Sequence, residues 1–225
     1  MLVRVSSWDV LKVENGQEFP VPDISTIQAS ARRRLNLFGR NAGALAANKI
    51  DTSPLIVFAS RYGDVERSVA ILEQISSGED ISPMNFSLSV HNAVSGLLSI
   101  AWKMTEMQSV VAAGSDTFIM GFTEALSLLN AFPKQDVLLV YIDFPLPAVF
   151  SEFEEIAGGS EVFTALLSAD MNMDEGVVIN CEKTETTDSR SARPMQAIES
   201  LLSGTIEKVI VETDSFGWGV SKYVA

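Results

Sequence analysis

The segment most informative about the fold is Ser109-Val110-Val111-Ala112-Ala113-Gly114-Ser115-Asp116-Thr117-Phe118. Its apolar first half predicts a buried strand, Gly114 a tight turn, and the residues after it the start of a helix. Acyl-transfer enzymes hold a reactive Cys or Ser at such a junction, because the free amides and dipole of the helix N-terminus favour a negative sulfur or oxygen. Here the turn offers Gly114 and Ser115, while the only cysteine, Cys181, lies far downstream. The junction therefore predicts an acyl-transfer scaffold without its own chemistry.

Ser115 is the alternative nucleophile at this turn. A hydrolase elbow has glycine two residues before and two residues after its serine, but Ala113 and Thr117 occupy those positions. The base would have to be His91, the only histidine, from a helix that precedes the turn. We therefore expect Ser115 or Asp116 to cap the next helix, and an acyltransferase or hydrolase using Ser115 is the rival hypothesis.

Upstream of the junction, the pattern alternates between helical segments and a strand. Residues 24–48 have a helical composition, and residues 55–59 form a compact apolar run that is typical of a buried strand. A helix is predicted over residues 65–76, with Asp64 as its N-cap and Gly78 just beyond its end. This part of the chain is expected to supply one buried strand between two helical segments.

A long helix is predicted to begin at Ser82-Pro83, because Ser favours the N-cap and Pro the first helical position. It extends to Met104 and carries apolar side chains on several sides, with small residues in its middle. Such a pattern is typical of a helix inside a large core or at a tight subunit contact. His91 lies in this helix and is expected to be a hydrogen-bonded core or interface residue.

The remaining elements predict the fold class. Strands are expected at 1–13, 136–143, 162–169, 176–181 and 207–212, with a helix at 194–202, an irregular loop at 144–160 and an exposed polar segment at 182–193. Strands that alternate with helices predict an α/β protein with a buried, mixed sheet. The 225 residues are enough for one sizeable core, so we expect a single domain spanning residues 1–225.

Composition excludes several classes of function. The net charge of −13 argues against nucleic acid, whose phosphates demand a basic surface. No apolar run reaches the roughly 18 residues of a membrane span, and the N-terminus does not resemble a signal peptide. A lone cysteine fits a reducing cytoplasm, where we expect the protein. One histidine and one cysteine far apart predict no metal site, and the lack of a G-x-G-x-x-G motif predicts no dinucleotide cofactor.

Four segments, in this order, resemble the β-ketoacyl synthases of the thiolase superfamily. Ser82–Ile100 is similar to the interface helix before the active-site strand, and Val110–Gly114 to the strand that leads into the nucleophilic cysteine, with Gly114 in the cysteine's place. Asp136–Ile142 resembles the strand after the elbow helix, and Asp214–Gly219 the glycine-rich turn near a synthase's C-terminus. The resemblance implies a thiolase-like α/β fold, truncated in its second half.

The departures from the family imply a non-catalytic role. The active-site cysteine is missing, as are both histidines that the family uses for decarboxylation. Ketosynthase-like chains without the cysteine are chain-length factors of type II polyketide systems, and a short version resembles the partner subunit of bacterial aryl polyene pathways. The resemblance therefore implies a heterodimer with an active ketosynthase, possibly of higher order, no cofactor, and docking of the acidic acyl carrier protein mainly through that partner.

The resemblance also implies which side chains face the partner. In the family, the helix equivalent to residues 84–104 lies across the dimer interface, and its side chains wall the far end of the partner's acyl tunnel. The candidate wall and interface residues are Met84, Phe86, Leu88, His91, Asn92 and Phe118. These side chains either set the product length or only pack the interface of a stabilising subunit, and both hypotheses stay open from the sequence.

Overall fold

The computed structural model describes residues 1–14, 17–154, 159–172, 176–184, 193–213 and 216–223. Eight strands form one sheet in the order β3-β2-β4-β5-β1-β6-β8-β7. The strands are β1 Leu2–Val13, β2 Leu55–Ala59, β3 Gln108–Val111, β4 Val137–Asp143, β5 Ser160–Ser168, β6 Val177–Thr184, β7 Lys208–Glu212 and β8 Gly217–Lys222. β2 runs parallel to β3 and β4, and the other pairs are antiparallel, so the predicted mixed sheet is confirmed.

Helices cover both faces of the sheet. They are α1 Ala29–Arg32, α2 Leu37–Ala46, α3 Val65–Ser77, α4 Pro83–Ser87, α5 Ala93–Trp102, α6 Thr117–Ala131 and α7 Pro194–Ser203. The core on one face contains α6 and α7, and the core on the other contains α1, α2 and α5. β4 is buried along its whole length between these two layers, as a near-continuous apolar strand in the middle of an α/β sheet should be.

The long helix predicted from Ser82 to Met104 is wrong in its middle. α4 ends at Ser87, and α5 begins only at Ala93. The hydroxyls of Ser87 and Ser89 donate to the carbonyls of Met84 and Phe86, each three residues earlier. Short serine side chains compete in this way with the backbone hydrogen bonds of a helix, so the residues between α4 and α5 form turns. The predicted all-round burial is also wrong for α4, since none of its residues is buried.

The helical segment predicted at 24–48 is likewise divided. Asn36 caps α2 by accepting a hydrogen bond from the amide of Gly39 at 3.3 Å, and this cap separates α2 from the short α1. The loop predicted after β4 contains a six-residue 3-10 helix, Ala148–Phe153. Asp214 and Ser215 of the proposed glycine-rich turn, and most of the polar segment predicted at 182–193, lie outside the described residues; Gly217 begins β8.

Candidate functional site

The elbow after β3 lies where the carboxyl ends of the parallel strands meet. Because β2, β3 and β4 are parallel neighbours, these ends lie at the same edge of the sheet. Gly114 has φ of +55°, a conformation that glycine adopts without steric cost. A 3-10 turn, Gly114–Asp116, leads into α6. The strand–turn–helix predicted from the sequence is present.

The capping residue of α6 differs from the prediction. Asp116 occupies the N-cap position, but its side chain accepts no capping hydrogen bond. Thr117 closes the turn instead: its hydroxyl accepts from the amide of Ala113 at 2.9 Å and donates to the carbonyl of Gly114 at 2.7 Å. A threonine in the first helical position was overlooked because propensity rules place the hydroxyl one residue earlier.

Ser115 and His91 are not joined at this edge. Ser115 is exposed on the 3-10 turn. The Nε2 atom of His91 lies 2.9 Å from the carbonyl oxygen of Ser60, and because a carbonyl can only accept, this nitrogen carries the hydrogen. His91 lies in the turn between α4 and α5, half-buried, and its ring is held by the end of β2.

A buried ion cluster occupies the same edge. Arg61, which follows β2, pairs through Nε with Asp143 at the end of β4, and its Nη1 lies 3.1 Å from Glu154. The side chains of Arg61 and Asp143 are 5% and 8% exposed. Tyr141 adds a hydroxyl 3.4 Å from the Asp143 carboxylate. This cluster was not predicted from the sequence, where its only signal is a charged residue at the end of β4 and another just after β2.

The electrostatics of the cluster follow from its burial. Removal from water raises the pKa of Asp143 to about 6, although Arg61 pulls it in the opposite direction. Burial, together with the Asp143 charge, raises the pKa of Tyr141, so its phenol stays protonated. Burial alone would lower the pKa of Arg61, but its acidic neighbours, Asp143 first and then Tyr141 and Glu154, together more than offset this and raise the pKa. Near neutral pH, Asp143 is therefore the group of the cluster that titrates.

Asp143 should titrate near pH 6, and its titration should affect stability. The unfolded chain releases this proton near the ordinary pKa of 3.8. Between about pH 4 and pH 6 the folded chain holds more protons, so the contribution of this group is fully present below pH 4 and is lost as pH rises through 6. The free energy of unfolding should therefore fall as pH rises over this range, with a slope of up to about 1.4 kcal/mol per pH unit. NMR titration of the Asp143 carboxyl carbon measures the midpoint directly, and a midpoint below 4 would contradict the account.

The structure separates the candidate wall residues into two groups. Met84, Phe86 and Asn92 are exposed, Phe86 at 62%, and Leu88 is half-buried beside them. Phe118, in contrast, is 3% exposed and makes edge-to-face contacts with the rings of Tyr141 and Phe163 at 5.2 and 5.5 Å. Phe118 therefore packs inside this chain and does not share the outer surface of α4.

An apolar surface surrounds these exposed residues. It comprises Met84, Phe86, Val90, Ile100 and Met107, each 45% to 71% exposed, and we call it the α4–α5 face. Gly96 lies on the same helix as Ile100, and a Cβ built there would meet no atom within 4 Å. Patches of this kind mark interaction sites in proteins.

Met107 of the α4–α5 face directly precedes β3, which lies at an open edge of the sheet. β3 pairs with β2 on one side and with no other strand of the described part of the chain. All four of its residues are only half-buried. An edge strand exposes unpaired amides and carbonyls, which can pair with another chain.

The described residues hold no group of three or more His, Cys, Asp or Glu side chains arranged for a metal ion. Nor do they contain a helix with the length and apolarity to cross a membrane. Cys181 is buried in β6, and burial raises the pKa of its thiol to about 12, so it is not a reactive thiolate.

The comparisons with known proteins decide the family. The model of the β-ketoacyl synthase N-terminal domain matches residues 6–218. The chain belongs to the β-ketoacyl synthase family. No curated protein sequence matches it. The resemblance predicted from the four sequence segments is confirmed at the level of the family.

Solved structures confirm the fold. A chain of the complex between the ketosynthase ApeO and its chain length factor ApeC from Xenorhabdus doucetiae is similar at TM-score 0.75 and 24% identity, over 98% of this chain and 99% of that chain. A β-ketoacyl synthase from Burkholderia phymatum STM815 matches at TM-score 0.56 and 11% identity, over 82% of this chain and 56% of its own. A chain of the type II polyketide complex AntDE:AntF, an acyl-carrier protein with its ketosynthase bound to the hexaketide, is also similar. It matches at TM-score 0.57 and 10% identity, over 82% of this chain and 69% of its own. The α/β, thiolase-like fold is thus confirmed, shortened relative to full-length ketosynthases.

Proposed function

We propose that this chain, as a single domain over residues 1–225, is a non-catalytic, chain-length-factor-like subunit. It pairs with an active β-ketoacyl synthase and shapes the end of that enzyme's acyl tunnel. The observation that carries the proposal is the exposed α4–α5 face beside the open edge of β3. The full-length match to a chain of a ketosynthase–chain length factor complex supports it, and we propose an aryl polyene type of type II polyketide pathway as its context.

The turn after β3 supports a non-catalytic role for this chain. Gly114 presents no nucleophile at the turn where the family carries cysteine. The nearest hydroxyl, Ser115, has no hydrogen bond to His91, whose Nε2–H is directed to Ser60. A serine nucleophile needs a base within hydrogen-bond reach, at about 2.6–3.2 Å. We therefore assign the chemistry of the complex to the partner.

Assembly is proposed to use both features of the outer surface. A partner strand that pairs with β3 satisfies the open backbone groups of the edge, a mode in which main-chain hydrogen bonds give affinity. The α4–α5 face then supplies apolar area beside the strand, and Gly96 allows another element to approach α5 closely. Burying an exposed side chain such as Ile100 or Phe86 contributes about 1.5–3 kcal/mol each before the costs of association.

The tunnel-shaping role is proposed for α4. Met84 and Phe86 are its most exposed large side chains, at 54% and 62%. Where they close the far end of the partner's tunnel, an acyl chain that is too long must overpack the wall, at a cost of about 1–3 kcal/mol. Since about 1.4 kcal/mol corresponds to a factor of ten, this cost is sufficient to discriminate between neighbouring chain lengths.

Truncation of the wall is therefore expected to lengthen the product. In the co-expressed complex, Met84→Ala and Phe86→Ala should shift the product distribution toward longer chains by about tenfold, as mass spectrometry of the products would show. The matched controls are Phe132→Ala, at the C-terminal end of α6, and Met171→Ala, just after β5, which remove the same residue types at exposed positions outside α4 and α5. An intact complex with an unchanged distribution in the two α4 variants would support a plain stabilising subunit instead.

Carrier-protein docking is proposed to remain mainly with the ketosynthase, because an acidic carrier is repelled by a subunit of charge −13. One local exception exists. Residues 24–50 carry five basic residues and no acidic one, and within the described residues Arg32, Arg33, Arg34 and Arg40 form no ion pair. A contribution of this chain to carrier docking would come from this arginine surface.

A further inference from the structure

The turn that joins α4 to α5 rests on the turn that joins β2 to α3. His91 in the upper turn donates from Nε2 to the carbonyl of Ser60 in the lower turn, at 2.9 Å. Beneath the same ring lies Gly63, with φ of +63°. A Cβ on Gly63 would lie only 3.1 Å from Cδ2 of His91. The imidazole therefore packs directly against Gly63, and a side chain at this position would press on the ring.

The lower turn is a fixed support. The hydroxyl of Ser60, which is buried, accepts from the amide of Gly63 at 3.0 Å. Asp64, also buried, caps α3, accepts from Asn36 Nδ2 at 2.8 Å and from Arg67 Nε at 2.9 Å. The turn is thus held by a hydrogen bond within itself and by hydrogen bonds to α3 and to the N-cap residue of α2, so the carbonyl of Ser60 gives His91 a fixed acceptor.

The upper turn has few restraints of its own. Val90 and Asn92 are exposed on either side of His91, and α4 has no buried residue to anchor it. α4 is held from outside, by contacts with α3 and by its C-cap residue Leu88, which packs against the core cluster of α1, α2 and α5. The hydrogen bond of His91 adds to these contacts by fixing the following turn to the end of β2.

We propose that His91 is a positioning residue for the tunnel wall, and that Gly63 is the residue against which its ring packs. Together they set where Met84 and Phe86 lie without lining the tunnel themselves. This inference rests on the proposed function, and it reassigns His91, which the sequence analysis counted among the wall residues. Product length is then controlled in part from the β2–α3 turn, through one hydrogen bond and one close contact.

The test compares two pairs of variants in the co-expressed complex. His91→Ala removes the donor, whereas His91→Gln retains an amide Nε2–H that reaches the same carbonyl. Gly63→Ala pushes on the ring, whereas Gly78→Ala imposes similar backbone strain at φ of +70° with no atom within 4 Å of the new Cβ. We expect His91→Ala and Gly63→Ala to change the ratio of neighbouring product lengths at least threefold, and His91→Gln and Gly78→Ala to leave it within about 1.5-fold.

The inference is overturned if His91→Ala leaves the distribution unchanged, or if each control shifts it as much as its partner variant. Amide hydrogen exchange over residues 84–92 provides a second readout, on the chain in whichever assembly it purifies. Positioning predicts exchange at least ten times faster in His91→Ala and protection retained in His91→Gln. If wild-type chain never associates with a ketosynthase, the proposed function fails, and the exchange data alone then decide whether His91 holds the turn.

Discussion

Gly96→Leu is expected to weaken assembly with the ketosynthase at least tenfold while the chain itself stays folded. A Cβ at this position meets no atom of the chain within 4 Å, and leucine is a better helix former than glycine by nearly 1 kcal/mol. The same side chain would project from α5 where the proposed partner lies closest. Overpacking a well-fitted contact costs about 1–3 kcal/mol or more, so we expect affinity to fall at least tenfold.

Ser127→Leu is the matched control for this variant. Ser127 is an exposed position on α6, on the other face of the sheet, so the same leucine is added to a surface that the proposed interface does not use. Co-purification yield and native mass give assembly, and circular dichroism gives the fold. A Gly96→Leu chain that assembles as well as Ser127→Leu would place the partner elsewhere.

Arg61→Met is expected to destabilise the chain by about 3–5 kcal/mol at pH 7, because it leaves the buried Asp143 carboxylate without its cation. Urea unfolding measured on the purified assembly gives this free energy. Lys12→Met, which breaks the half-exposed pair with Glu199, should cost no more than about 1 kcal/mol. Both variants remove one positive charge, but Arg61 is itself buried and pairs with two carboxylates, whereas Lys12 is half-exposed and pairs with one.

A double variant distinguishes lost charge from lost packing. Arg61→Met combined with Asp143→Leu removes the stranded carboxylate, and apolar replacement of a buried pair is often neutral or stabilising. Most of the lost stability should therefore return in the double variant. If the double variant is as unstable as Arg61→Met alone, the loss comes from packing of the arginine side chain. The charge pairing of the ion cluster then contributes nothing to the free energy of unfolding.

Local signals in the sequence predicted local structure well. Asp64 caps α3, Gly78 ends it in the left-handed conformation, and Ser82 caps α4 as expected. Each of these depends on residues within one helical turn, where propensity and capping rules apply directly. The buried strands β2 and β4 were predictable for the same reason, since a continuous apolar run is itself the signal.

The candidate site could be predicted only in part, because its groups come together through the topology. Arg61 and Asp143 are 82 residues apart in sequence, and nothing near either one indicates its partner. The burial of Phe118 depends on aromatic neighbours from β4 and β5. The break after α4 arises from two serine hydroxyls that bond to the backbone instead of to solvent. The spacing of apolar residues carries no information about which of the two a serine will bond to.

The central claim is that this chain is the partner subunit of a ketosynthase, and the native mass of the co-expressed pair tests it most directly. The wild-type chain should be co-expressed with a ketosynthase chosen from its genomic neighbourhood, and the purified material analysed by size-exclusion chromatography with light scattering. The account predicts a stable one-to-one complex, or a multiple of it, and a chain that aggregates when expressed alone. A well-behaved monomer that elutes apart from the ketosynthase would contradict it.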